Sequence, residues 1–245
     1  HAPATGECRS LVILMQYRDL YFKKTKEDFE ALFNSIGYKT DGATGSVRDF
    51  YQFASQGQLD YISDIYGPYT SLHPMKYYGA NIPYGGGDSH PLELCIEAIK
   101  NLPKDINYSL YDNNNDGLID NVHIIFAGYG EEAGASSYAI WSHEYPYRIN
   151  LNNEIGYSFA SYSCTPELRG NNGTKISNIG VICHELGHAL GAMDYYDTNY
   201  EIGGRYTGTG QWDIMADGSW NNDGKTPPNF NPYVRSTVFG WNKQI

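Results

Sequence analysis

The sequence predicts an α+β fold: a twisted mixed β-sheet with helices up to about residue 191, then a small irregular portion over residues 192–245. Short apolar runs of strand length alternate with amphipathic helical stretches through the first part. Helix starts and stops are written in side chains, as Ser or Thr caps and terminal glycines. Beyond Gly191, tyrosine, glycine and asparagine replace any sustained apolar period. At 245 residues the chain can bury a sizeable core, which suits one domain with two parts.

Residues 11–16 are an apolar run of buried-strand type, closed by Arg18 and Asp19. Thr25, with Asp28 three residues on, caps a helix whose stripe is Phe29, Leu32, Phe33 and Ile36 and whose stop is Gly37. Ser46 opens a second helix carrying Val47, Phe50, Tyr51 and Ala54, ended by Gly57. Residues 59–66 alternate as a strand, residues 70–89 are a Tyr-, Gly- and Pro-rich loop, and residues 91–102 form a third helix.

Residues 112–120 read DNNNDGLID. Oxygen-bearing side chains at alternate positions, a glycine at the sixth and a carbonyl at the seventh are what a calcium loop uses, so Asp112, Asn114, Asp116, Leu118 and Asp120 are candidate Ca2+ ligands. The twelfth position is His123 instead of glutamate, and a strand, residues 122–127, follows at once. The other reading is an asparagine-rich turn closed by side-chain to backbone hydrogen bonds. Residues 128–134 are glycine-rich and carry Glu131 and Glu132, without a phosphate-binding pattern. Residues 140–145 and 155–164 read as further strands.

The next stretch carries the chemistry. In His184-Glu185-Leu186-Gly187-His188 a helix puts the two imidazoles about 40° apart and roughly 6 Å along the axis, on one face. Neutral imidazoles so placed can hold one zinc ion. Glu185 can reach a water at the metal, the place a general base needs. Gly191 ends the helix and can swing Asp194 back as a third ligand, leaving a position for water.

This extended run, with Met215 in Trp212-Asp213-Ile214-Met215-Ala216-Asp217-Gly218-Ser219-Trp220, resembles the metzincin zinc-peptidase signature with aspartate as third ligand. Within that group it is most similar to the secreted immune inhibitor A-like metallopeptidases. Residues 11–14 and 45–51 resemble that family's first strand and second helix. The resemblance implies a two-lobed catalytic domain, an upper lobe over about residues 1–191 and a lower lobe over about 192–245. It also implies Met215 beneath the metal, and a sheet edge lining the cleft in the strand just before the active-site helix. Tyr196 occupies a position that family often fills with tyrosine.

The irregular portion includes Tyr195-Tyr196-Asp197, Gly203-Gly204 and Gly208-Thr209-Gly210, and a last helix runs from Asn231-Pro232 through Val238. With 28 acidic against 17 basic residues, a net charge of −11, nucleic acid is not an expected partner. No apolar run is long enough to span a membrane. The opening His1-Ala2-Pro3-Ala4 lacks a signal core, so any export signal or propeptide is expected to be absent already.

Of the cysteines, Cys95 and Cys183 read as buried thiols, and Cys8 with Cys164 is the expected pair if a bridge forms. These readings predict a secreted, monomeric Zn2+-dependent endopeptidase acting on protein or peptide substrates, with Ca2+ as a second ion. An exported calcium-dependent adhesin or glycan-binding module with a structural zinc site is the competing class.

Overall fold

The computed structural model describes residues 1–84, 87–198 and 206–241; Gly203-Gly204 lie outside the described residues. In chain order the elements are β1 (Gly6–Gln16), α1 (Lys26–Asn34), α2 (Val47–Ala54), β2 (Leu59–Thr70), α3 (Met75–Gly79), α4 (Pro91–Lys100) and β3 (Val122–Tyr129). There follow β4 (His143–Tyr145), β5 (Ile149–Leu151), α5 (Asn152–Ile155), β6 (Tyr157–Phe159), β7 (Tyr162–Leu168) and α6 (Ile179–Ala189). After α6 come short 3-10 turns at Gly210–Trp212 and Asp217–Trp220 and a wide helical turn at Val234–Val238.

The α+β architecture is a twisted mixed sheet of order β2-β1-β3-β7-β4, with a two-stranded β5-β6 sheet beside it in sequence. β1, β3 and β7 run parallel, in a register that aligns Ile13 with Ile124 and Ile124 with Cys164; β4 is antiparallel on β7. Inner parallel strands are buried on both faces, so they lack the in-and-out alternation of a half-exposed strand. That is why Leu11 to Met15 in β1 and Val122 to Ala127 in β3 show no alternation in burial. β2, nearer solvent, alternates buried and half-buried positions as its sequence does.

The chain forms two compact units. One contains Arg9–Glu30 and Ser63–Ser177. In it Leu94, Cys95, Ala98 and Ile99 of α4 share a core with Leu11, Ile13, Met15, Ile124, Phe126, Tyr162 and Cys164 of the sheet. His123 is fully buried there between Ser163 Oγ (2.7 Å) and Thr165 Oγ1 (2.9 Å), and burial pushes its imidazole down to about 3, so it is a neutral structural histidine.

The other unit contains His1–Cys8, Ala31–Ile62 and the chain from Asn178 onward. α2 is closed by a reciprocal cap between Ser46 and Asp49, and buries Val47, Phe50, Tyr51 and Ala54 as its spacing predicts. Tyr51 donates its hydroxyl to the Cys183 carbonyl of α6 at 2.8 Å and stacks on Tyr61. The change of character at Gly191 lies inside this unit.

Several expectations are corrected. The strand read over residues 155–164 is divided: Asn150 Oδ1 accepts from Asn152 N, α5 turns the chain, and β6 and β7 follow as separate strands. Of residues 140–145 only His143–Tyr145 pair. β7, the strand before α6, is not the sheet edge. β3 lies on one side, and on the other β4 gives way to a chain segment whose Ser177 N donates to Glu167 O. The Cys8–Cys164 bridge is not formed, and all four cysteines are buried thiols. β3 separates Cys164 from β1, roughly 9–10 Å across two strand spacings, beyond a disulfide's reach.

Candidate metal centre

The site is built on α6, and a close approach of two side chains to its backbone fixes where that helix lies. A Cβ at Gly187 would meet Met215 Sδ and Phe230 Cε1, each at 2.9 Å, so the methionine sulfur seats directly on the helix. α6 then closes as a paired-turn cap. Gly191 N donates to His188 O (2.8 Å) and Ala192 N to Gly187 O (3.0 Å), with Gly191 at φ +101°. That backbone conformation sends residues 192–194 back over the helix.

His184 Nδ1 lies 2.7 Å from Ile214 O, and His188 Nδ1 lies 2.9 Å from Ala192 O. A carbonyl only accepts, so each Nδ1 carries the proton and each Nε2 is the nitrogen left for a further partner. The rings stand nearly perpendicular, 86°, with centroids 5.0 Å apart. Both Nε2 atoms converge on Asp194 Oδ1, at 3.2 and 3.3 Å. That oxygen is buried and has no hydrogen-bond partner. The ligand atoms of His184, Glu185 and His188 also lie within 4.8 Å of one another, so a second carboxylate faces the same point.

The electrostatics express this crowding of donors. Burial alone would lower both imidazoles, but the Asp194 carboxylate and the Glu185 charge outweigh it and hold both raised, His188 at about 9. Burial acts on Asp194 in the opposite sense, and the two imidazoles overcome it, holding its carboxyl well below the usual carboxylate range. Nε2 of each imidazole is the atom a cation would take. An orphaned buried oxygen facing two nitrogens of fixed tautomer is a set of donors whose chemistry suits a cation. The residues present therefore fit a divalent ion.

The DNNNDGLID loop is arranged differently. Asp112 accepts from Asp116 N and Gly117 N, Asn114 Oδ1 from Asp116 N, and Asp116 Oδ1 from Leu118 N. Asp120 Oδ2 accepts from the backbone and side chain of Asn113. Asp112, Asp116 and Asp120 do not form a cluster at ligand spacing; among the described residues the α6 cluster alone does so. These side-chain to backbone bonds close the loop on itself and are common to both readings of it.

Sequence reasoning did not single out two backbone carbonyls, Ile214 O and Ala192 O, which set both histidine tautomers. It also missed Asp213, fully buried in the turn that carries the first of them. A charged residue between Trp212 and the apolar Ile214-Met215 pair was the available signal. Tyr196 lies beside His184, ring centroids 6.4 Å apart.

Two imidazoles and a carboxylate thus meet around one point, with a second carboxylate adjacent on α6, an arrangement able to hold a divalent ion. The chain belongs to the immune inhibitor A peptidase M6 family, whose catalytic-domain model matches residues 12–239. It is 30% identical over 259 residues to the pre-pro-metalloprotease PrtV of Vibrio cholerae serotype O1, covering 86% of this chain and 27% of that protein. It is 36% identical over 234 residues to immune inhibitor A of Bacillus thuringiensis subsp. alesti, covering 80% of this chain and 32% of that protein. The chain thus spans about a third or less of the length of these relatives. Among the described residues no helix is long and apolar enough to cross a membrane.

Proposed function

We propose that the chain is the catalytic domain of an exported zinc endopeptidase, with His184, His188 and Asp194 as metal ligands and Glu185 as general base. Residues 1–245 are read as one such domain, acting as a monomer on protein or peptide substrates. The observation that carries this reading is Asp194 Oδ1, buried without a hydrogen-bond partner at 3.2 and 3.3 Å from two Nε2 atoms. Export is supported by the similarity to the Vibrio pre-pro-metalloprotease.

Zinc, when bound, lowers the pKa of a water molecule towards neutrality and polarises a carbonyl. The chain's own residues do the rest. The Ile214 and Ala192 carbonyls hold both imidazoles with Nε2 presented. Asp194 supplies one negative charge, leaving the site less positive than three histidines would. Glu185, 5% exposed and one residue from His184, accepts the proton from the attacking water and returns it to the leaving amine.

Asp194 Oδ1 lies 3.2 and 3.3 Å from the two Nε2 atoms and is assigned as the third ligand, and Glu185 on α6 is assigned to proton transfer. Casein digestion by wild type, Glu185→Gln and chelator-treated protein, with zinc content measured, tests this. Cleavage should disappear in both of the latter while Glu185→Gln keeps its zinc. Cleavage surviving Glu185→Gln would remove the mechanism, and inert wild-type protein with full zinc would favour the binding-module reading.

A further inference from the structure

Asp213 is a charged residue with no exposed surface. Its Oδ1 accepts from Met215 N at 3.0 Å, and its Oδ2 from Thr209 Oγ1 at 3.0 Å and Asn231 Nδ2 at 2.7 Å. The amide of Asn231 cannot turn over, because its Oδ1 already accepts from Val234 N at 3.0 Å. The carboxylate therefore meets two fixed N–H donors and a hydroxyl, a pattern that only an acceptor on both oxygens satisfies. The main-chain oxygen of Asp213 takes Ala216 N (3.1 Å) and Gly218 N (3.2 Å), so one residue ties the turn over residues 213–218 at both its ends.

Two carbonyls leave that turn for the metal centre. Ile214 O meets His184 Nδ1 at 2.7 Å, and Met215 O accepts from Tyr195 N, the neighbour of Asp194, at 2.9 Å. His188 is held otherwise, through Ala192 O and the cap of α6 itself. We propose that Asp213 is a positioning residue of the metal centre, its carboxylate fixing the turn whose carbonyls orient His184 and anchor the Asp194 segment. The inference rests on the zinc reading above and adds an asymmetry to it: His184 and Asp194 depend on Asp213, and His188 does not.

The test uses the whole zinc-loaded chain with 15N-labelled histidine, as wild type, Asp213→Ala and Asp213→Asn. In Asn the amide N–H2 faces a donor it cannot accept from, so both variants should act in the same direction. Zinc affinity, read by chelator competition, should weaken about 10–100-fold. The Nδ1–H of His184 should exchange with solvent faster while that of His188 is unchanged. A purely structural role would loosen both signals alike, and that result overturns the inference. So does a folded variant with zinc affinity within about twofold of wild type and an unaltered His184 signal. If Asp213→Ala does not fold, Thr209→Val removes one donor alone, and the same asymmetry between the histidines decides. Wild-type protein that takes up no zinc overturns the peptidase reading itself, whereas zinc uptake with indifferent variants overturns only the role of Asp213.

Discussion

At Asp194 a single oxygen is asked to serve two imidazoles in a buried place, and protons and metal compete for those same nitrogens. In the metal-free chain the His188 pKa is raised from an unfolded value near 6.5 to about 9. A raised value contributes stability that is fully present below pH 6.5 and is lost as pH rises through 9. Zinc binding must expel those protons, so its affinity climbs over the same interval. Chelated protein should therefore lose melting temperature from pH 6.5 to 9 while the increment given by saturating zinc grows. Melting curves with and without zinc at three pH values check this, and an increment that shrinks with pH would contradict it. Glu185→Gln should lower kcat/KM by about 10²–10⁴-fold or more, with zinc content unchanged. Asp194→Asn should release the metal.

The elements show what local chemistry can and cannot announce. The Thr25–Asp28 and Ser46–Asp49 caps are both formed, and the Gly191 stop is realised as the paired-turn cap that aims Ala192 O at His188. Such signals lie within a few residues of one another, so sequence carries them. Ile36, assigned to the apolar stripe of α1, is 66% exposed because the helix has already ended at Asn34. The division of β6 from β7, and the interior place of β7, depend on pairing of β6 with β5 and of β7 with β4 and with β3, about forty residues earlier, and no local period records them. Gly191→Ala, at φ +101°, should cost about 1–2 kcal/mol and weaken zinc binding through the misaimed Ala192 carbonyl. Gly187→Ala, against Met215 Sδ and Phe230, should cost about 1–3 kcal/mol by overpacking. Thermal melts of the metal-free and zinc-loaded forms separate the two effects.

Over the whole molecule, the four thiols are buried and unbridged, and burial pushes those of Cys95 and Cys183 upward. Reductant should leave the melting temperature unchanged, and thiol reagents should titrate these cysteines only after unfolding; a drop of several degrees on reduction would show that a bridge exists. The metal centre was legible as residue types, because two histidines four apart on one helix meet whatever the rest of the chain does. Its supports were not, since Ile214 O and Asp213 act through a turn thirty residues downstream. The 112–120 loop has the spacing of a calcium loop, and its side-chain to backbone hydrogen bonds are ones that such a loop and an asparagine-rich turn share.

The most direct test is X-ray absorption at the zinc edge on the loaded protein, paired with Asp194→Ala and Glu185→Gln. The account predicts two nitrogens at about 2.0–2.1 Å and two oxygens, one from Asp194 and one from water. This set should be unaltered in Glu185→Gln and lost in Asp194→Ala. Zinc that keeps its coordination without Asp194, or loses an oxygen ligand without Glu185, would contradict it.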